Sequence, residues 1–146
     1  MRVAPSKFDQ IVAGKAEPAL VCRYFTSKLW RDRDESLRAI GLKPIPRESW
    51  HEVDRETARQ TLETALSTDL CYGTKSMSRG LAHDLAREFL APFHWQDRFF
   101  TNSETPWDPG LSSWAFSGLT DATLDTGVIV KSGEELGGLF WIASWD

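Results

Sequence analysis

The spacing of hydrophobic residues changes at Pro92, and this change constrains the fold of the 146-residue chain more than any other feature. From about residue 54 to residue 91, apolar side chains recur three and four residues apart in two segments, which is the spacing of amphipathic helices. Asp54 and Ser78 stand immediately before the two segments, and both residue types favour the N-cap position. We therefore expect two helices that are joined by a short connection and pack as an antiparallel pair.

After Pro92 the apolar runs become short and are separated by Gly, Pro, Ser, Thr and Asn, as is typical of strands and turns. Residues 126–131 (TGVIVK) and 139–144 (LFWIAS) predict two strands, and the three glycines within residues 132–138 suit a hairpin loop between them. Their nearly continuous hydrophobicity indicates strands that are covered by helices on one face and partly covered on the other. The sequence thus predicts one α+β domain, residues 1–146, with N-terminal and central helices packed on a small C-terminal antiparallel sheet.

The first fifty residues carry weaker signals. Residues 6–13 suit a short helix, and residues 19–25 (ALVCRYF) suit either a strand or the start of a helix. Asp34 can cap a short helix, ESLRAI, because Asp is a favoured N-cap residue. Ser49 and Glu52 have the spacing of a capping box, which predicts a short helical turn at this point.

The charge is unevenly distributed along the chain, and this limits the kinds of partner. Residues 1–73 carry 12 basic and 11 acidic side chains, whereas residues 74–146 carry 5 and 10. Because no basic field is available to neutralise phosphates, we expect no binding to nucleic acid. The last 48 residues hold seven acidic side chains, one base and four of the seven tryptophans. Such a segment suits capture of a basic protein, although buried tryptophans with a solvated acidic rim would give the same composition.

The N-terminal residues lack the apolar run of a signal peptide, and no apolar stretch approaches the length of a membrane span. Cys22 and Cys71 are 49 residues apart and form neither a CxxC motif nor a zinc-binding spacing, so we expect two free thiols. These features favour a cytoplasmic protein that has no contact with a membrane. The sequence leaves both a monomer and a homodimer open.

Residue types that could support catalysis are present without a recognised catalytic arrangement. His94 stands three residues before Asp97, and Asp121 and Asp125 could act as a carboxylate pair. However, runs such as TDATLDTG commonly form turns, in which Asp and Thr side chains bond to nearby backbone groups. A small hydrolase or transferase that uses these four residues is therefore the alternative to a binding protein. The three histidines are too scattered to predict a metal site, and no cofactor motif occurs.

From Thr68 onward the chain resembles small bacterial immunity-type proteins that are encoded beside polymorphic or contact-delivered toxins. The resemblance rests on the helix MSRGLAHDLAREFLAPF, the run FFTNSETPWDP, the segment LTDATLDTGVIV and the terminal LFWIASWD. The third of these is the best match. The chain departs from the pattern at its end, where two or three acidic residues are expected and Asp146 alone is present. The resemblance implies a non-catalytic inhibitor that sequesters its cognate toxin in the cytosol of the producing cell.

Our leading hypothesis is therefore an immunity protein whose acidic, Trp-containing surface binds a toxin with a basic surface. Trp141 and residues 128–130 are expected in the sheet core, whereas residues in loops or at the terminus are candidates for contact. These partner-binding candidates are Trp107, Asp108, Trp114, Glu134, Glu135, Trp145 and Asp146. An oligomeric adaptor or structural subunit that buries the Trp-rich sheet is a third possibility.

Overall fold

Five strands form one antiparallel sheet, in a computed structural model that describes residues 20–26, 33–133 and 136–145. The strands are β1 (Leu20–Thr26), β2 (His51–Val53), β3 (Arg98–Thr101), β4 (Leu124–Ser132) and β5 (Leu136–Ser144). Their order in the sheet is β1-β5-β4-β3-β2. The described helices are α1 (Arg33–Ala39), α2 (Arg55–Ser67) and α3 (Arg79–Leu90), together with a 3-10 turn at Arg47–Ser49. The predicted α+β class is confirmed.

The β4–β5 hairpin forms the centre of the sheet. Its nine pairs run from Leu124↔Ser144 to Ser132↔Leu136, so both strands are longer than the sequence predicts and the loop is shorter. Gly133 has a φ of 60° in the turn, a conformation that glycine adopts without steric cost. Gly138 lies within β5, where an added Cβ would come within 2.7 Å of the Phe93 ring.

The helices α2 and α3 pack on one face of this sheet, as the sequence predicts. Asp54 accepts a 2.7 Å hydrogen bond from the Thr57 backbone N–H, and Ser78 accepts one from Leu81, so both predicted caps are confirmed. The helix face of the core contains buried side chains from both helices and from four strands, among them Leu62, Leu66, Leu85, Phe89, Tyr24, Phe99, Val128, Val130 and Phe140.

A second core covers the opposite face of the sheet. Ile129 and Trp141 alternate with the helix-face residues along β4 and β5, and they pack with Leu37 of α1 and Trp50. The rings of Trp50 and Trp141 meet edge to face, with centroids 5.9 Å apart. Coverage of both faces is confirmed, and it explains why the apolar runs of β4 and β5 are nearly continuous.

The N-terminal half resolves one open alternative and corrects two predictions. Asp34 is the second residue of α1 rather than its N-cap. Residues 20–26 form a strand rather than a helix, whereas residues 6–13 lie outside the described residues. The predicted capping box of Ser49 and Glu52 is wrong, because Glu52 belongs to β2. Its carboxylate instead accepts hydrogen bonds of 2.9 and 3.1 Å from the Arg98 guanidinium on the adjacent strand. These bonds lower the pKa of Glu52.

Both cysteines are free, Cys22 being buried and Cys71 half-buried. Within the described ranges, no helix is both long enough and apolar enough to cross a membrane.

Candidate protein-binding surface

The sheet has two ends, and they separate the residues that the sequence singles out. Leu124 and Ser144 pair at one end, which we call the tryptophan end because Trp145 follows Ser144. Ser132 and Leu136 pair at the other, which we call the hairpin end. β4 has nine residues, so about 27 Å separates the two ends.

Four of the seven predicted contact residues lie within the described part of the chain. Trp145 lies at the tryptophan end and is 43% exposed. Glu134, Glu135 and Asp146 lie outside the described residues, but the residues that flank the two glutamates, Gly133 and Leu136, lie at the hairpin end.

The long loop between β3 and β4, residues 102–123, carries the other three candidates. Asp108 is exposed, and its carboxylate accepts a hydrogen bond from the Gly110 N–H. Trp114 is half-buried, stacks on Phe116 with centroids 4.5 Å apart, and donates its indole N–H to the Thr105 carbonyl.

The expectation that Trp107 lies outside the core is wrong. Only 8% of this residue is exposed, and it belongs to the helix-face core. A loop position does not guarantee exposure, because the large ring gains more by packing under the loop than by remaining in water. Trp107 therefore anchors the long loop to the core, and its ring is not accessible to a partner.

The two ends of the long loop are fixed by a buried polar network around Asn102. The Asn102 side-chain amide donates to the carbonyls of Ser117 and Asp125, at 3.0 and 2.9 Å. The Asn102 side-chain oxygen accepts a 2.9 Å hydrogen bond from the hydroxyl of Thr126. Asn102 is 1% exposed, so these bonds form away from competing water and hold the loop in one conformation.

Asp125 continues this network and has a structural role. Its fully buried carboxylate accepts hydrogen bonds from the backbone of Leu119, from the backbone and hydroxyl of Thr120, and from the indole of Trp141. Asp121, by contrast, is exposed and forms an ion pair with Lys43. The interpretation of Asp125 as a residue of turn structure agrees with these contacts, whereas the ion pair of Asp121 joins it to a residue distant in sequence.

A loop from the helical part of the chain reaches the tryptophan end, and the sequence did not single it out. In the α2–α3 loop, residues 68–78, Asp69 accepts hydrogen bonds from the backbone of Cys71 and Tyr72 and from the Ser144 hydroxyl. The Cys71 thiol also contacts the Ser144 carbonyl, at 3.4 Å. This attachment places Tyr72, which is 63% exposed, beside the segment that carries Trp145. An aromatic residue in a turn that ends in glycine, as in TDLCYG, is the signal that could have indicated it.

The long loop meets the α2–α3 loop at the same place. A Cβ added to Gly73 would lie 4.0 Å from the Pro109 side chain, so the segment that carries Leu111 approaches the residue that follows Tyr72. Leu111 is 38% exposed. We refer to Tyr72, Leu111 and Trp145 together as the apolar patch.

The four residues of the alternative enzymatic hypothesis are divided between the two ends. Asp97 precedes Arg98, which pairs with Lys131 near the hairpin end. Asp125 lies six residues before Lys131 on the same strand, a separation of about 20 Å. His94 and Asp97 close a tight turn, in which the Asp97 carboxylate accepts the His94 N–H and the His94 ring accepts the Gln96 N–H.

Within the described part of the chain, no group of three or more His, Cys, Asp or Glu side chains is arranged to hold a metal ion. No protein family, curated protein or solved structure was found to match this chain.

Proposed function

We propose that this chain is a non-catalytic bacterial immunity protein, which binds and neutralises a cognate toxin in the cytoplasm of the producing cell. The observation that carries the proposal is the apolar patch. Its three exposed side chains come from three separate segments, and hydrogen bonds and packing bring these segments to one end of the sheet.

Exposed apolar residues are ordinary when they are scattered singly, but the segments that carry these three approach one another. Among the described residues four large hydrophobic side chains are exposed, and only Trp95 stands apart from the patch. Tyr and Trp are the residue types that most often supply binding energy at protein interfaces. Because Asp69 and Ser144 fix the backbone beside Tyr72 and Trp145, a partner would lose little free energy in ordering these anchors.

Exposed carboxylates on the long loop support a basic partner. Glu104 and Asp108 are exposed on the long loop that also carries Leu111, so their carboxylates can attract basic side chains toward the patch. The resemblance to immunity-type proteins supports the same class of partner. Its best-matching run, LTDATLDTGVIV, contains Asp125 and leads into β4.

The test is co-expression with the product of the neighbouring gene in the native host, with cell survival and co-purification as readouts. We expect the wild-type chain to protect the cell and to co-purify with that product. The double substitution Tyr72→Ala and Trp145→Ala should abolish protection, because truncating interface anchors commonly costs about 2 kcal/mol or more each. Trp95→Ala is the matched control, since it removes a tryptophan that is even more exposed and lies far from the patch, and it should leave protection intact.

Two results would contradict the proposal. One is a chain that neither protects against the neighbouring product nor binds it. The other is sedimentation of the isolated wild-type chain as a homo-oligomer that the double substitution converts to a monomer. In that case the patch would be a contact between copies of this chain rather than a surface for a toxin.

A further inference from the structure

We infer that the cleft between the end of α2, the α2–α3 loop and the start of α3 binds a small anion that carries a phosphate or carboxylate group. The cleft has a volume of about 520 Å³ and is lined by Ser67, Thr68, Gly73, Lys75, Met77 and Arg79. Ligand pockets commonly occupy about 300–1,000 Å³. The cleft adjoins the apolar patch at Gly73, but the inference does not rest on the proposed function.

The lining of the cleft contains two cations and no carboxylate. Lys75 and Arg79 are both exposed, and neither side chain forms a hydrogen bond or ion pair with any described residue. They are two of only five basic residues between positions 74 and 146. In the most acidic part of the chain, two unpaired cations on one wall create a local positive potential that favours an anion.

The helix itself gives no reason for a cation at residue 79. Arg79 is the first residue of α3, and the first turn of that helix contains no acidic side chain. Acidic rather than basic residues stabilise this end of a helix. Helix stability therefore does not explain a basic residue at position 79, whereas binding of an anion does.

The carboxylate of the α2–α3 loop, on Asp69, accepts hydrogen bonds from groups outside the cleft lining. Asp69 is engaged by the Cys71 and Tyr72 backbone N–H groups and by Ser144, so it is not available to neutralise Lys75. Asp108 lines an adjoining cleft of about 280 Å³ together with Arg79, but the two form no ion pair within the described residues.

Backbone hydrogen bonds hold the walls of the cleft in place without a ligand. The backbone of Ser76 donates to the Ser67 carbonyl at 2.9 Å, the backbone of Asp69 donates to the Thr74 carbonyl at 2.7 Å, and Thr68 pairs with Lys75. The hydroxyl of Thr68 can donate to an anion, whereas the Ser67 hydroxyl donates to the Thr64 carbonyl at 3.4 Å. The half-buried Met77 supplies an apolar wall. The geometry therefore suits an anionic group attached to a partly apolar body.

The test is a titration of the full chain with inorganic phosphate and, separately, with acetate, at ionic strength held constant with sodium chloride. Backbone amide resonances of Ser67, Thr68, Lys75 and Arg79 report binding by NMR. We expect a saturable shift confined to the cleft, and the anion that binds more tightly identifies the preferred group. Lys75→Gln or Arg79→Gln should weaken binding about tenfold, as expected for the loss of one charge-assisted hydrogen bond.

Arg87→Gln is the matched control, because Arg87 is an exposed base on the same helix that does not line the cleft; it should leave the affinity unchanged. The inference is overturned if the shifts do not saturate with either anion. It is also overturned if Lys75→Gln and Arg79→Gln bind as tightly as the control.

Discussion

At the residue scale, the carboxylate of Asp125 connects separate parts of the chain. It lies in β4, accepts donors from Leu119 and Thr120 in the preceding turn, and accepts the indole N–H of Trp141 on β5. All of these contacts are removed from water, because Asp125 is fully buried. Removal of such a buried acceptor destabilises a protein mainly because the donors that it satisfied are left without hydrogen-bond partners.

Asp125→Ala should therefore lower the free energy of unfolding by about 3 kcal/mol, because it leaves the Leu119 and Trp141 donors without an acceptor. Asp121→Ala is the control, since it removes an exposed carboxylate four residues earlier and should cost less than about 0.5 kcal/mol. Urea denaturation followed by tryptophan fluorescence measures both values. Equal stability of the two variants would contradict the structural role of Asp125.

Two glycines give a second comparison at this scale. A Cβ on Gly127 would lie 2.1 Å from the Phe140 carbonyl oxygen and 2.6 Å from the Trp141 ring, whereas nothing lies within 4 Å of a Cβ on Gly80. Gly127→Ala should destabilise the protein by about 2 kcal/mol or more, because backbone must move to accept the methyl group. Gly80→Ala should stabilise it by about 0.5–1 kcal/mol, because Gly80 lies within a helix. Thermal unfolding of the two variants should therefore move in opposite directions.

At the scale of secondary-structure elements, the hydroxyl of Tyr24 joins β1 to α3. The ring of Tyr24 is buried and stacks on Phe89, and its hydroxyl donates a 2.8 Å hydrogen bond to the Phe89 carbonyl. Burial is the main cause that raises the pKa of Tyr24 above its ordinary value of 10.0, and nearby Cys22 and Glu88 add to the effect. The folded state thus holds the phenol in its neutral form.

The direction of the pH dependence follows from this shift. Below about pH 10 the phenol is neutral in both states, and the contribution of Tyr24 to stability is complete. Above that pH the unfolded chain loses the proton first, so the stability should decrease as the pH rises toward the higher pKa of the folded state. Urea denaturation between about pH 8 and about pH 11 tests this decrease. Tyr24→Phe should be less stable at neutral pH and should lose part of the decrease, whereas Tyr72→Phe should retain it.

The sequence predicted some elements and missed others, for reasons that differ between helices and strands. α2 and α3 could be predicted because their apolar spacing and their caps, Asp54 and Ser78, are local signals. β2 and β3 could not, because these strands have three and four residues. They are stabilised by partners distant in sequence, such as Glu52 with Arg98, and no local pattern records those contacts.

At the scale of the whole molecule, the candidate surface was predictable only in part. The acidic balance and the exposure of Trp145 could be inferred from composition and from position after a strand. The burial of Trp107 and the approach of Tyr72 could not, since both depend on how two long loops meet the end of the sheet. Charge is a property of composition, whereas a grouped apolar patch is a property of the tertiary fold.

The acidic side chains and the apolar patch should affect different rate constants of binding to the proposed toxin. Glu104 and Asp108 are exposed carboxylates on the long loop that carries Leu111, so they should accelerate encounter with a basic surface without being buried in the complex. Glu104→Gln combined with Asp108→Asn should lower the association rate constant about threefold to tenfold and reduce its dependence on salt.

Trp145→Ala should leave association nearly unchanged and raise the dissociation rate constant more than about tenfold, because it removes a packed anchor. Stopped-flow association at two ionic strengths and surface-bound dissociation measure the two constants. A change in dissociation for the charge variants would mean that the carboxylates are buried in the interface. A change in association for the tryptophan variant would mean that the patch lies outside the interface. Together these results would show that the proposed orientation of the partner is wrong.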